Sequence, residues 1–248
     1  GDSCAGLAAG TPPFDVAVGA WARFWAEHAR RRGLEPAQLA VLLVDEPTRA
    51  EQDRRILAWA RPIRAAATGI RIWEDPTHAD PAKADPAMMA ACDVLCPNRP
   101  MYLSRPAYRA YYPDRRPPAT ELAFYSCSGP ARLLDPYAYH RLQAWTAWQT
   151  GARSSFFWAF TDSGGGSSWN EYAARGASYV PFFLDAGSVT AGKHMEAIRE
   201  SAEDFECLVM LRDALAAAEK RGASGPDVEK ARALLSGAAG RVCGAPGA

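Results

Sequence analysis

Asp45 and Glu46 are adjacent carboxylates that follow the unbroken apolar run Leu39-Ala40-Val41-Leu42-Leu43-Val44 and precede Pro47. Such a run fits a parallel strand buried on both faces, which puts the acidic pair at the strand's C-terminal end. Side chains alternate faces along a strand, but at the rim Pro47 stops the ladder and both carboxylates can turn toward one pocket. Two carboxylates so placed repel one another. One then keeps its proton while the other stays ionised, the division of labour that a general acid and a stabilising anion need. The plainer alternative is that acidic residues here only favour the N-terminal dipole of the helix that follows.

Other chemistries are excluded by spacing. Gly164-Gly165-Gly166 lacks the Lys-Ser/Thr ending and the helix of a phosphate loop. Ser126 and Ser128 lack the glycine-flanked elbow of a serine hydrolase. Cysteines at 4, 92, 96, 127, 207 and 243 have no metal-ligand spacing, so neither a metal nor another cofactor is expected. Cys92 and Cys96 read as small buried residues. His28, His140 and His194 fall on predicted helices and His78 in a proline-rich loop, so none is placed for catalysis.

The elements that must hold the carboxylates follow a βαβ rhythm. A helix is predicted over 15–33, with Asp15 as N-cap and with Val18, Trp21, Phe24, Trp25 and His28 at helical spacing. Thr48 and Glu51 have the spacing of a capping box ahead of a helix through Ile56, Trp59 and Ile63, which Pro62 kinks or ends. Short strands are expected at Gly69–Glu74, Cys92–Cys96, Glu121–Cys127 and Ser154–Phe160. Asp135-Pro136 opens a helix whose inner face is read as Tyr139, Leu142, Trp145 and Trp148. A long helix begins beyond Gly192 and a further one at Pro226. The loop 97–118, with Tyr102, Tyr108, Tyr111 and Tyr112, reads either as a binding loop or as a short packed helix.

Strands alternating with helices give an α/β fold of (β/α)8 TIM-barrel type, and the recognisable units make it a partial barrel of about the last five. The expected division is an irregular segment over 1–14, the partial barrel over 15–220, and a C-terminal helix with a frayed tail over 221–248. Asp45, Glu46, Asp75, Cys96, Cys127 and Phe160 should share one rim, and an exposed apolar flank should lie beside Leu39–Val44. With 48% apolar residues the chain of 248 can bury a core, and 28 basic against 28 acidic residues leave no field that recommends nucleic acid or an anionic membrane. No apolar run approaches the roughly 20 residues of a membrane span.

In order along the chain, VLLVDEP, RIWEDP, CDVLCPN, FYSCSGP, DPYAYHRLQAW, FFWAF and KHMEAIRESAEDFECLVML resemble the catalytic domain of family 123 glycoside hydrolases. The similarity runs from Trp21 to Leu215, and its most specific parts are Asp45-Glu46-Pro47 and the acidic closing helix. The resemblance implies a retaining β-N-acetylgalactosaminidase in which the substrate's own 2-acetamido oxygen attacks the anomeric carbon, an exception to the two-carboxylate nucleophile scheme. Glu46 would then protonate the leaving oxygen and later activate water, while Asp45 would orient the acetamido N–H. The resemblance also implies a carbohydrate substrate, upstream barrel strands, a β-sandwich domain, and a secreted or periplasmic location.

Several further residues are candidates for sugar contact. Glu74 and Asp75 end a strand as Asp45 and Glu46 do, although Asp75 before Pro76 could simply make a turn. Asp93 lies in an apolar strand and must face the pocket or pair with an arginine. Tyr125 and Trp158 could stack on a pyranose or fill the core. Asp162 and Trp169 belong to a Gly/Ser-rich stretch that reads as a mobile subsite loop. Two other functions stay open: hydrolysis of another glycoside through a carboxylate nucleophile, and carbohydrate binding without catalysis.

Overall fold

Five short parallel strands stand in chain order in the computed structural model, which describes residues 2–114, 116–127, 135–160, 168–169 and 180–244. The chain forms two compact units, Gly1–Ala123 and Phe124–Ala248.

The first unit opens on a small hairpin, β1 (Ser3–Cys4) with β2 (Leu7–Ala8), where an irregular segment was expected. Helix α1 (Pro12–Arg31) starts at Pro12, because proline's fixed φ suits a first turn and its missing N–H is not needed there. Asp15 is therefore a first-turn residue and not the N-cap. The buried stripe is also not the aromatic one expected. Phe14, Val18, Ala22, Ala26 and Ala29 face inward, while Trp21, Phe24 and Trp25 are exposed. Ala22 and Ala26 pack with Ile70 against Leu39 and Val41, an approach that larger side chains would hold apart.

Strand β3 (Ala40–Leu42) is shorter than its apolar run and leads into α2 (Ala50–Ala65), whose Arg61 pairs with Asp15 at 2.8 Å. The N-cap is Arg49, not Thr48. The Thr48 N–H donates instead to Gln52, and Pro62 is accommodated inside the helix. Next come β4 (Arg71–Glu74), α3 (Pro86–Ala91) and β5 (Val94–Leu95). Segment 97–118 contains two short helices, α4 (Arg99–Ser104) and α5 (Pro106–Tyr111). Tyr108 and Tyr112 are fully buried, so the packed-helix alternative holds for them. Strand β6 (Glu121–Ser126) starts in the first unit. Its pairing continues a parallel register, Val41 beside Ile72, Trp73 beside Val94, and Val94 beside Glu121.

In the second unit, a π-helical turn at Tyr137–Arg141 precedes α6 (Leu142–Thr150), followed by β7 (Ser154–Phe157). The wider turn shifts the phase of the helix, so Gln143, Ala144, Thr146 and Ala147 are buried and Leu142, Trp145 and Trp148 only partly so. An antiparallel hairpin, β8 (Phe182–Leu184) with β9 (Val189–Ala191), was not foreseen. Helix α7 (Lys193–Lys220) begins after Gly192 as expected, and α8 (Pro226–Cys243) closes the described chain. Arg141 bridges Asp204 at 2.8 Å and Glu200 at 2.9 Å, fixing the π-turn to α7.

The five-stranded order β3-β4-β5-β6-β7 agrees with the expected series. Strand β3 is its edge, and there Leu42 is 45% exposed. Trp21, Val41, Leu42, Leu43 and Trp59 line an apolar groove of about 310 Å³ beside it, the expected exposed flank. Among the described residues no helix is long and apolar enough to cross a membrane.

Candidate active site

The parallel register places Asp45, Asp75 and Cys96 at the C-terminal ends of β3, β4 and β5, one rim of the first unit. Backbone pairing between β3 and β4 reaches Leu42 beside Trp73. Beyond it, side chains of the next strand take over the ladder. The Leu43 N–H donates to Glu74 Oε1 at 2.9 Å, and the Glu46 N–H donates to Asp75 Oδ1 at 2.9 Å. Thr77 completes the seam, its N–H donating to the Pro47 carbonyl at 2.9 Å and its hydroxyl to the Glu46 carbonyl at 3.2 Å.

Glu46 has φ +46°, the left-handed region, which breaks the strand's alternation. That conformation costs a non-glycine residue about 1–2 kcal/mol, and the hydrogen bonds to its N–H and its carbonyl offset it. Asp45 and Glu46 are both exposed.

Glu74 and Asp75 are different in kind. Glu74 is 0% exposed and Asp75 4%, and Glu74 Oε2 is buried with no hydrogen-bond partner among the described residues. Burial pushes Glu74 up to about 8; the Leu43 N–H opposes this and the nearby Asp75 and Asp45 charges add to it. Burial likewise pushes Asp75 up to about 7, against the Glu46 N–H and with the Asp45 charge. At neutral pH, therefore, Glu74 is a neutral acid and the cluster keeps a proton on a group that no solvent touches.

A buried pair that sequence reasoning missed supports the loop after Asp75. His78 Nε2 lies 3.0 Å from Asp53 Oδ1, and Asp53 Oδ2 also accepts the Asp85 N–H at 3.0 Å. Tyr108 donates its hydroxyl to the His78 carbonyl at 2.7 Å. Asp53 and His78 stand on different elements with nothing in their spacing to couple them, so no sequence signal could have found the contact.

Asp93 accepts from Arg64 and from the Ile72 N–H, both at 2.7 Å, so the arginine-pairing alternative is the one adopted. In the second unit, Tyr125 is buried on β6, while Trp158 is 58% exposed and its N–H donates to the Ser126 carbonyl at 2.9 Å. Trp169 stacks on Phe183 with ring centroids 4.5 Å apart. Asp162 lies outside the described residues. Among the described residues no three His, Cys, Asp or Glu side chains are grouped to hold a metal ion.

No family model and no curated protein sequence matches this chain.

Proposed function

We propose that this chain is the C-terminal part of a (β/α)8 barrel glycoside hydrolase that acts on a 2-acetamido sugar, of β-N-acetylgalactosaminide type, by retaining substrate-assisted catalysis. The observation that carries the reading is that Asp45 and Glu46 are both exposed just beyond the C-terminal end of β3, on a turn with a left-handed Glu46 that buried carboxyls hold. Barrel enzymes place their chemistry at that rim. In the proposed reaction Glu46 gives its proton to the glycosidic oxygen as the acetamido oxygen attacks the anomeric carbon and the aglycone leaves. Asp45 accepts the acetamido N–H and offsets the positive charge of the cyclic intermediate. Glu46 then takes a proton from the water that opens it.

Burial of the neighbouring carboxyls favours this mechanism over one with an enzyme nucleophile. Glu74 is wholly enclosed and Asp75 holds the Glu46 N–H, so neither is placed to attack a sugar carbon.

The test is hydrolysis of a series of aryl N-acetyl-β-galactosaminides by the chain carrying its upstream barrel strands and by its Glu46→Gln and Asp45→Asn variants. Glu46→Gln should lose most activity on poor leaving groups, because a good leaving group needs little protonation. Asp45→Asn should slow every member, on the order of a hundredfold, the scale of a lost electrostatic contact in a transition state. A thiazoline analogue of the acetamido sugar should inhibit. A covalent label from a fluorosugar would overturn the mechanism, and sugar binding without hydrolysis would leave only the binding module.

A further inference from the structure

We propose that Glu74 and Asp75 are positioning residues, a two-carboxyl clamp that replaces the strand ladder and sets the turn on which Asp45 and Glu46 are presented. The catalytic consequence rests on the glycosidase reading above; the clamp itself rests on geometry. Two adjacent side chains at the end of β4 hold backbone N–H groups of the turn: Glu74 accepts from Leu43 and Asp75 from Glu46, both at 2.9 Å. The second of these is the N–H of the residue with φ +46°, so Asp75 holds the left-handed point of the turn that follows β3.

A neutral amide could accept the same N–H at a smaller desolvation cost, but unlike a carboxyl it could not change its charge with pH. Burial pushes Asp75 up to about 7 and Glu74 up to about 8. A charged acceptor makes a hydrogen bond roughly twice as strong as a neutral one. As pH rises through the Asp75 value the grip on Glu46 tightens, and beyond the Glu74 value two buried like charges oppose each other and the grip is strained. The groups facing them are Asp45 and Glu46 on the turn, Cys92 toward Glu74 and Cys96 toward Asp75, with Tyr108 toward Glu46.

Amide NMR of the whole chain across pH tests the clamp without any substrate. The Glu46 amide proton should titrate with a midpoint at about 7 and the Leu43 amide at about 8. Asp75→Asn should abolish the Glu46 titration yet keep its left-handed carbon shifts, and Asp75→Ala should lose both. In the hydrolysis assay Asp75→Ala should lower kcat by about a hundredfold, the cost of a displacement near 1 Å, with little change in KM. Asp75→Asn should recover most of that rate and lose the pH step near 7. A Glu46 amide that moves with pH identically in wild type and Asp75→Asn overturns the clamp, even if the alanine variant fails to fold. Wild-type titrations without any hydrolysis would uphold the clamp and remove the glycosidase reading. Hydrolysis with an unimpaired Asp75→Ala would do the reverse.

Discussion

Replacing Glu74 by Gln should make the stability of the chain cross that of the wild type as pH is raised. The folded protein holds a proton on Glu74 up to about 8, whereas the unfolded chain releases it near 4.5. Between those values the folded state binds more protons, so wild-type stability is full below 4.5 and falls as pH rises toward 8. A difference of about 3.5 units, from 4.5 to 8, corresponds to about 5 kcal/mol at 1.36 kcal/mol per unit. Gln keeps an oxygen for the Leu43 N–H and does not titrate, but it buries an NH₂ without a partner, at a cost of about 1–2 kcal/mol. The variant should therefore be the less stable at pH 5, equal at about pH 6, and the more stable by about 3 kcal/mol at pH 8.5. Urea unfolding followed by circular dichroism at those three values reads this directly. A difference between the two proteins that stays constant from pH 5 to 9 would refute the burial argument for Glu74.

Two further changes probe what surrounds the site. Asp53→Ala leaves the buried His78 ring and the Asp85 N–H without their acceptor, and should lower unfolding free energy by about 2–4 kcal/mol; Asp53→Asn should recover part of it, and a loss below about 0.5 kcal/mol in denaturant titration would show that the pair is not structural. Leu42→Lys, at the exposed sheet edge, should change stability by no more than about 0.5 kcal/mol, while Ile72→Ala on the neighbouring strand should lose about 2–5 kcal/mol, and equal losses in thermal melts would mean that the edge is core.

The strand at Ala40–Leu42, the strand at Arg71–Glu74 and the helix from Lys193 were legible because their signals are local: an apolar run, a helical stripe, a glycine or proline at the boundary. Placing Asp45 and Glu46 at a strand end needed only the run before them and Pro47 after. The phase of α6 was not legible, since a π-turn at Tyr137–Arg141 precedes it, and Arg141 of that turn is tied to residues some sixty positions away. The stripe on α1 was misread for a similar reason. Periodicity marks which residues share a face, but close packing against Ile70 selected alanines over tryptophans for the inside.

The site divides along the same line. That four carboxylates, Asp45, Glu46, Glu74 and Asp75, stand at the C-terminal sides of two successive strand segments was readable from the chain alone. That the first pair is exposed and the second buried emerges from the fold, because burial depends on what packs over a side chain and not on its neighbours in the chain. The same distinction gave Glu74 and Asp75 their backbone partners at Leu43 and Glu46, about thirty residues upstream, and raised the pH at which they ionise through desolvation that no local spacing encodes.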